Sequence, residues 1–114
     1  MVSPTITTQT GVGAAGNSRT APLRLQQLSD LALHLVVTRA DGTSPQLNVW
    51  VQDSAEGVNF ADAFQLPAVT ATGTYRVSWK DLGHSVGQWV ALRWTVGGTS
   101  PVFDFVAYAT GPSV

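Results

Sequence analysis

The sequence predicts an all-β fold: an antiparallel β-sandwich of about seven strands, jelly-roll or immunoglobulin-like, preceded by an extended N-terminal arm. Three observations lead there. The phrase Gly-Thr-Ser-Pro occurs twice, at Gly42 to Pro45 and Gly98 to Pro101, each time between two strand-like runs. Apolar residues within those runs alternate with a period of two, as in strands with one buried face. Further runs of the same kind recur at roughly 8 to 12 residue spacing with turn signals between them, and none keeps a helical period.

Residues 1–22 are rich in Thr, Ser, Gly and Ala and nearly free of large apolar side chains. Such a stretch cannot build a core of its own and reads as a flexible arm, although Thr and Ile favour an extended conformation over Val2 to Thr10. An extended arm can add itself to the sheet edge of a neighbour. Ile6, Thr8 and Val12 are the arm residues expected to meet that neighbour. The sandwich domain is then residues 23–114.

Leu23 to Leu28 alternates imperfectly and opens the domain as a strand, with a short helical turn as the alternative. In the next run Leu31, Leu33, Leu35 and Val37 share one face. The first Gly-Thr-Ser-Pro follows, then Leu47, Val49 and Val51 pointing inward and Asn48, Trp50 and Gln52 outward. Gly reaches backbone angles closed to other residues, Ser and Thr bond locally, and Pro opens a strand without needing a ladder donor. Each copy is therefore expected to close a β-hairpin. Ser54 to Gly57 reads as a turn, Phe60 to Leu66 as a short strand ended by Pro67, and Gly73 to Lys80 as a strand with Tyr75, Val77 and Trp79 on one face. Residues 81–87 read as a loop. The second hairpin, residues 88–108, completes the domain.

The chain has 114 residues, enough for one domain, but only 11% of them are charged, against about 25% in an average soluble protein. That deficit suggests a surface that rests on other protein. Net charge is −1 and the six basic residues are scattered, so nothing in the sequence is suited to tracking a phosphate backbone. The absence of Cys removes disulfides, thiolate metal sites and a cysteine nucleophile. No secretory signal is visible in residues 1–22, and no apolar run approaches the roughly 18 residues of a membrane span. The expectation is a protein made and used without export through a cleaved signal.

The order of several pieces resembles a family of small β-sandwich virion proteins of tailed bacteriophages. These pieces are Val37-Thr38, Gly42 to Pro45, Leu47-Asn48-Val49-Trp50-Val51, the Ser54 to Gly57 turn before Phe60, Ala71 to Arg76, and Val90 to Pro101 with Phe103 and Phe105. The resemblance covers about residues 31–107. It implies a structural protein, assembled in the host cytoplasm and placed on the capsid surface, that decorates or cements the shell by binding major capsid protein. A homo-oligomer, with a trimer as the expected form, goes with that role. Trp50, Trp89 and the loop around His84 lie outside the family pattern.

No constellation of catalytic residues stands out. Only His34 and His84 offer a base for a nucleophilic triad; His34 lies mid-strand, and His84 has Ser85 and Asp81 only as close sequence neighbours, which rarely converge. Asp53, Glu56, Asp62 and Asp104 supply carboxylates but no pattern that marks an acid pair. Metal and phosphate-loop motifs are missing. The expectation is no catalysis and no cofactor. Of four Trp, Trp79 and Trp94 fit the core, whereas Trp50 and Trp89 face the polar side and read as partner-binding anchors. Packing beneath the arm, or stacking on a sugar ring, are the alternatives for them. A head-completion or tail component and a carbohydrate-binding module are the alternative functions.

Overall fold

A computed structural model describes residues 5–24, 32–78 and 89–110. The described residues form seven strands in one antiparallel sheet: β1 (Thr5–Val12), β2 (Gly16–Asn17), β3 (Leu23–Arg24), β4 (Ala32–Ser54), β5 (Ala61–Gln65), β6 (Gly73–Ser78) and β7 (Trp89–Thr110). The all-β expectation holds. Leu28, Leu31, Trp79 and the His84 loop lie outside the described residues.

The sheet is organised by β4 and β7, which pair along their whole length from Ala32↔Thr110 to Ser54↔Trp89. A straight strand of 23 residues would reach about 75 Å at 3.3 Å per residue, yet the longest dimension of the molecule is 43 Å. The ribbon must therefore bend, and it bends where its register shifts, between Asp41 and Gln46 on β4 and opposite Thr99 on β7. Gly42 (φ 113°), Ser44 (φ 50°), Gly98 (φ 106°) and Ser100 (φ 49°) supply the unusual backbone angles.

This corrects the expected hairpins. Neither Gly-Thr-Ser-Pro closes a local turn; each is a corner inside a continuous strand, and the two corners face one another with Thr43 opposite Thr99. They interlock. A Cβ placed on Gly42 would lie 2.8 Å from the Ser100 carbonyl oxygen and 2.9 Å from that of Thr99. A Cβ on Gly98 would meet the Ser44 and Thr43 carbonyl oxygens at 2.6 and 2.8 Å. Only glycine permits that approach.

Folding the ribbon at its corners brings two half-sheets face to face, which makes the molecule sandwich-like. One half is β1, the C-terminal half of β7, the N-terminal half of β4, and β6; the other is β2 and β3, the N-terminal half of β7, the C-terminal half of β4, and β5. Leu33, Leu35, Val37, Phe103, Phe105 and Ala107 from the first half meet Leu47, Val49, Val51, Val90, Leu92 and Trp94 from the second in a single core cluster. Trp94 and Phe105 make an edge-to-face contact across it, with ring centroids 5.4 Å apart.

The N-terminal segment also departs from expectation. Residues 5–22, the described part of the expected arm, are not a flexible segment before a separate domain. β1 runs antiparallel to β7 with Thr8 opposite Val106 and Val12 opposite Phe103, and Ser18 is buried, exchanging hydrogen bonds with the main chain of Leu92. Ile6 and Val12 are 5% and 8% exposed and belong to the core. Two well-placed apolar residues suffice because the rest of β1 needs only main-chain pairing with an edge of the sheet.

The pairings obey an approximate two-fold relation between the two corners. Thr5↔Tyr108, Thr8↔Val106, Val12↔Phe103 and Gly16↔Trp94 on one side match Asp62↔Gln52, Gln65↔Trp50, Val69↔Leu47 and Gly73↔Val37 on the other. Each residue has its counterpart 56 or 57 positions along. The relation is visible in the residues themselves: Val12, Ala14, Gly16 and Arg19 recur as Val69, Ala71, Gly73 and Arg76, and Leu35 and Thr38 as Leu92 and Thr95. The chain is thus two like units, residues 5–54 and 62–110, in which the first strands of each pair with the long strand of the other.

Equal roles for the corners imply equal costs. Gly42→Ala and Gly98→Ala should each destabilise the protein by about 3 kcal/mol, from the disallowed φ and the carbonyl contact together. Urea unfolding of both variants checks this, and a cost confined to one of them would contradict the two-fold relation.

Candidate functional site

The outer face of the half-sheet containing β5 carries the most developed polar cluster among the described residues. Trp50 on β4 stands directly opposite Arg93 on β7 and Gln65 on β5. The Arg93 guanidinium carbon lies 3.9 Å from the Trp50 ring centroid, a stacked cation–π arrangement. The same guanidinium holds Asp62 with two bonds, Nη2 to Oδ2 at 2.8 Å and Nε to Oδ1 at 3.2 Å. Gln52 Nε2 donates to Asp62 Oδ1 at 2.8 Å.

Strand chemistry explains the cluster. Trp50 and Gln52 alternate onto one face of β4, and the register shift between Val51 and Gln52 brings Asp62 beside Gln52. Arg93 then bridges the indole and the carboxylate. Its fixed, planar fork suits both tasks, which an ammonium would not. The bonds from Arg93, followed by that from Gln52, hold the Asp62 carboxyl below its usual range, and the nearby Arg19 charge acts in the same direction. Gln52 is 5% exposed, and its Oε1 has no hydrogen-bond partner. The amide cannot turn to relieve this without losing Asp62.

Trp89, at the start of β7, is held differently. Gly57 (φ 84°) lies flat against the indole, close enough that a Cβ there would be 3.1 Å from the ring. The Arg24 guanidinium sits 5.5 Å from the ring centroid. The loop bearing Gly57 is braced by its own side chains: Ser54 Oγ accepts from the amides of Glu56 and Gly57, and Glu56 Oε1 accepts from the amide of Asn59. Its tip presents Val58, at 76% the one large hydrophobic residue among the described residues that is exposed.

The expected partner-binding residues therefore divide. Trp50 and Trp89 are half-buried on the outside of the sheet, each under an arginine of the same chain. Thr8 is exposed on β1. Ile6 and Val12 are lost as partner contacts, because the core of their own chain covers them. The sequence offers Asp62 only as one of four scattered carboxylates, Gln52 only as an outward neighbour of Trp50 and Arg93 only as one of six scattered basic residues; the odd placement of Trp50 on a polar face is the signal that something covers it.

The other acids among the described residues are also engaged. Asp104 Oδ1 accepts from the Gly11 amide at 2.7 Å and fixes a bulge in β1, and Asp41 pairs with Arg39 at 2.6 Å on the surface. Among the described residues no group of three or more His, Cys, Asp or Glu could hold a metal ion, and no helix is long and apolar enough to cross a membrane. Comparison of the chain with protein-family models, with curated proteins and with solved structures gives no match in any of the three.

A depressed carboxyl contributes stability above its unfolded pKa of about 3.9 and loses it as the pH falls through the folded value. Asp62→Asn should accordingly cost up to about 1 kcal/mol at pH 7, the scale of an exposed bidentate pair. The difference should shrink in strong acid, once the pH has fallen through the folded value. Denaturant titrations of both proteins at pH 7 and in strong acid check this; a cost that persists undiminished in acid would assign the effect to packing instead.

Proposed function

We propose that the protein is a structural component of a tailed-bacteriophage particle that works by binding, without catalysis. It sits on the capsid surface, holds neighbouring major capsid protein subunits together and stiffens the shell. The observation that carries this reading is the Trp50–Arg93–Asp62–Gln52 cluster. An aromatic ring and a guanidinium, locked together and half-exposed on a rigid sheet, are what a protein interface uses as its anchor. Because Arg93 is already held by Asp62, little side-chain freedom is lost when a partner covers the patch.

Two sequence features point the same way. The resemblance over residues 31–107 implies a virion protein, and the low charge content suits a surface covered in an assembly. A head-completion or tail protein would use the same sheet at a few copies per particle rather than hundreds. Sugar stacking, the alternative use of Trp50, needs an open indole face, and Arg93 already occupies one.

The test is binding of the purified full chain to capsids lacking it, with the bound copies counted. Saturable binding at hundreds of copies is expected. Trp50→Ala, folded by circular dichroism, should weaken it about 30-fold, equivalent to about 2 kcal/mol. No saturable binding by the parent chain would overturn the proposal.

A further inference from the structure

We infer that the chain engages a two-fold symmetric partner, a pair of identical protein subunits, through its two exposed corners at Gly42 to Pro45 and Gly98 to Pro101. The inference rests on the capsid reading above and adds a place to it: a dyad between neighbouring subunits, with one chain bridging both.

The serines raise the question. Ser44 and Ser100 are the non-glycine residues with positive φ among the described residues, at 50° and 49°. That conformation is costly for an L-residue with a Cβ, and Gly or Asn fills it more easily. The bend needs the backbone angle and makes no use of the hydroxyl. Both serines are exposed, and neither side chain bonds within the described residues. A strained residue kept where a less strained one would serve the fold points to a task for its side chain.

The two units show where such a task is shared. On their outer faces they have diverged: Trp50 corresponds to Val106, Arg93 to Val36, Asp62 to Thr5 and Gln52 to Tyr108. At the corners they are identical over four residues, and Thr43, Ser44, Thr99 and Ser100 are all exposed around the two-fold relation. Over those four residues, though not over the flanking Asp41 and its counterpart Gly97, the surface is the same twice about an axis and matches a partner that is the same twice about an axis.

Its chemistry narrows the partner further. The corners offer hydroxyls and threonine methyls with no net charge, since the adjacent Arg39 is paired with Asp41. Neutral polar protein surface, rich in main-chain carbonyls and side-chain amides, complements them. A polyanion would not. The trimer expected from the resemblance places chains around a three-fold axis, whereas a built-in dyad suits a two-fold position.

The chain contains no cysteine, so single-cysteine variants report contacts cleanly. Thr43→Cys and Thr99→Cys, each bound to capsids lacking the protein, would be cross-linked with a thiol–amine reagent and the joined peptides mapped. Both are expected to reach the same partner peptide, at one chain per two subunits. Links from one corner only, or to unrelated peptides, with binding intact, would overturn the two-fold inference and leave the capsid role standing. Failure of the parent chain to bind would remove both. In parallel, the Ser44→Gly, Ser100→Gly double variant should keep or raise the melting temperature and lose at least ten-fold in binding. Unchanged binding would overturn the corner contact, since the serine hydroxyls are what point to it.

Discussion

Two strands of the same chain turn a corner past each other at a distance that leaves no room for a Cβ, and most of the structure depends on that crossing. Gly42 lies against the main chain of Thr99 to Pro101, and Gly98 against that of Thr43 to Pro45. The contact fixes where the long ribbon bends, and so which residues face inward on each side of the bend. Leu33, Leu35 and Val37 are brought over Leu47, Val49 and Val51 by it, as are Phe103 and Phe105 over Leu92 and Trp94. A one-residue slip at the crossing would turn every one of these side chains to solvent. The corner is therefore the register pin of the core.

The interleaving of the two units has a kinetic consequence. Almost every pairing joins residues far apart in sequence, such as Leu33 with Ala109 and Thr5 with Tyr108. Long loops must close before these contacts reward the chain, so folding belongs with the slower, non-local β topologies. The arrangement also covers the ribbon without separate domains, since each unit supplies the edge strands that flank the other's long strand.

Period and turn chemistry made the strands legible. The alternation over Leu33 to Val37 and Leu47 to Val51 correctly marks the inward faces, and Trp94 is correctly assigned to the core. Partner choice was not legible, because Gly-Thr-Ser-Pro has the same local chemistry whether it closes a hairpin or bends a strand; the decision lies in residues 56 positions away. Residues 5–22 are hard to read for another reason. Their small residues resemble a linker, and the recurrence of Val12, Ala14, Gly16 and Arg19 as Val69, Ala71, Gly73 and Arg76, which marks them as a strand equivalent, is diluted by intervening differences. Trp50 stood out on a polar face, but Arg93 and Asp62 reach it only through the register of three strands.

Fold and proposed role meet at the surface. The Trp50 cluster gives one outer face an anchor that its counterpart around Val106 lacks, while the corners remain alike. Both depend on the crossing, and solution NMR tests it most directly. Long-range NOEs should join Val36 with Val106, Trp50 with Arg93, and Thr43 with Thr99. NOEs that instead join Arg39 with Gln46 and Val37 with Asn48 would show a local hairpin at the first corner. The crossing and the two-fold relation built on it would then fall together.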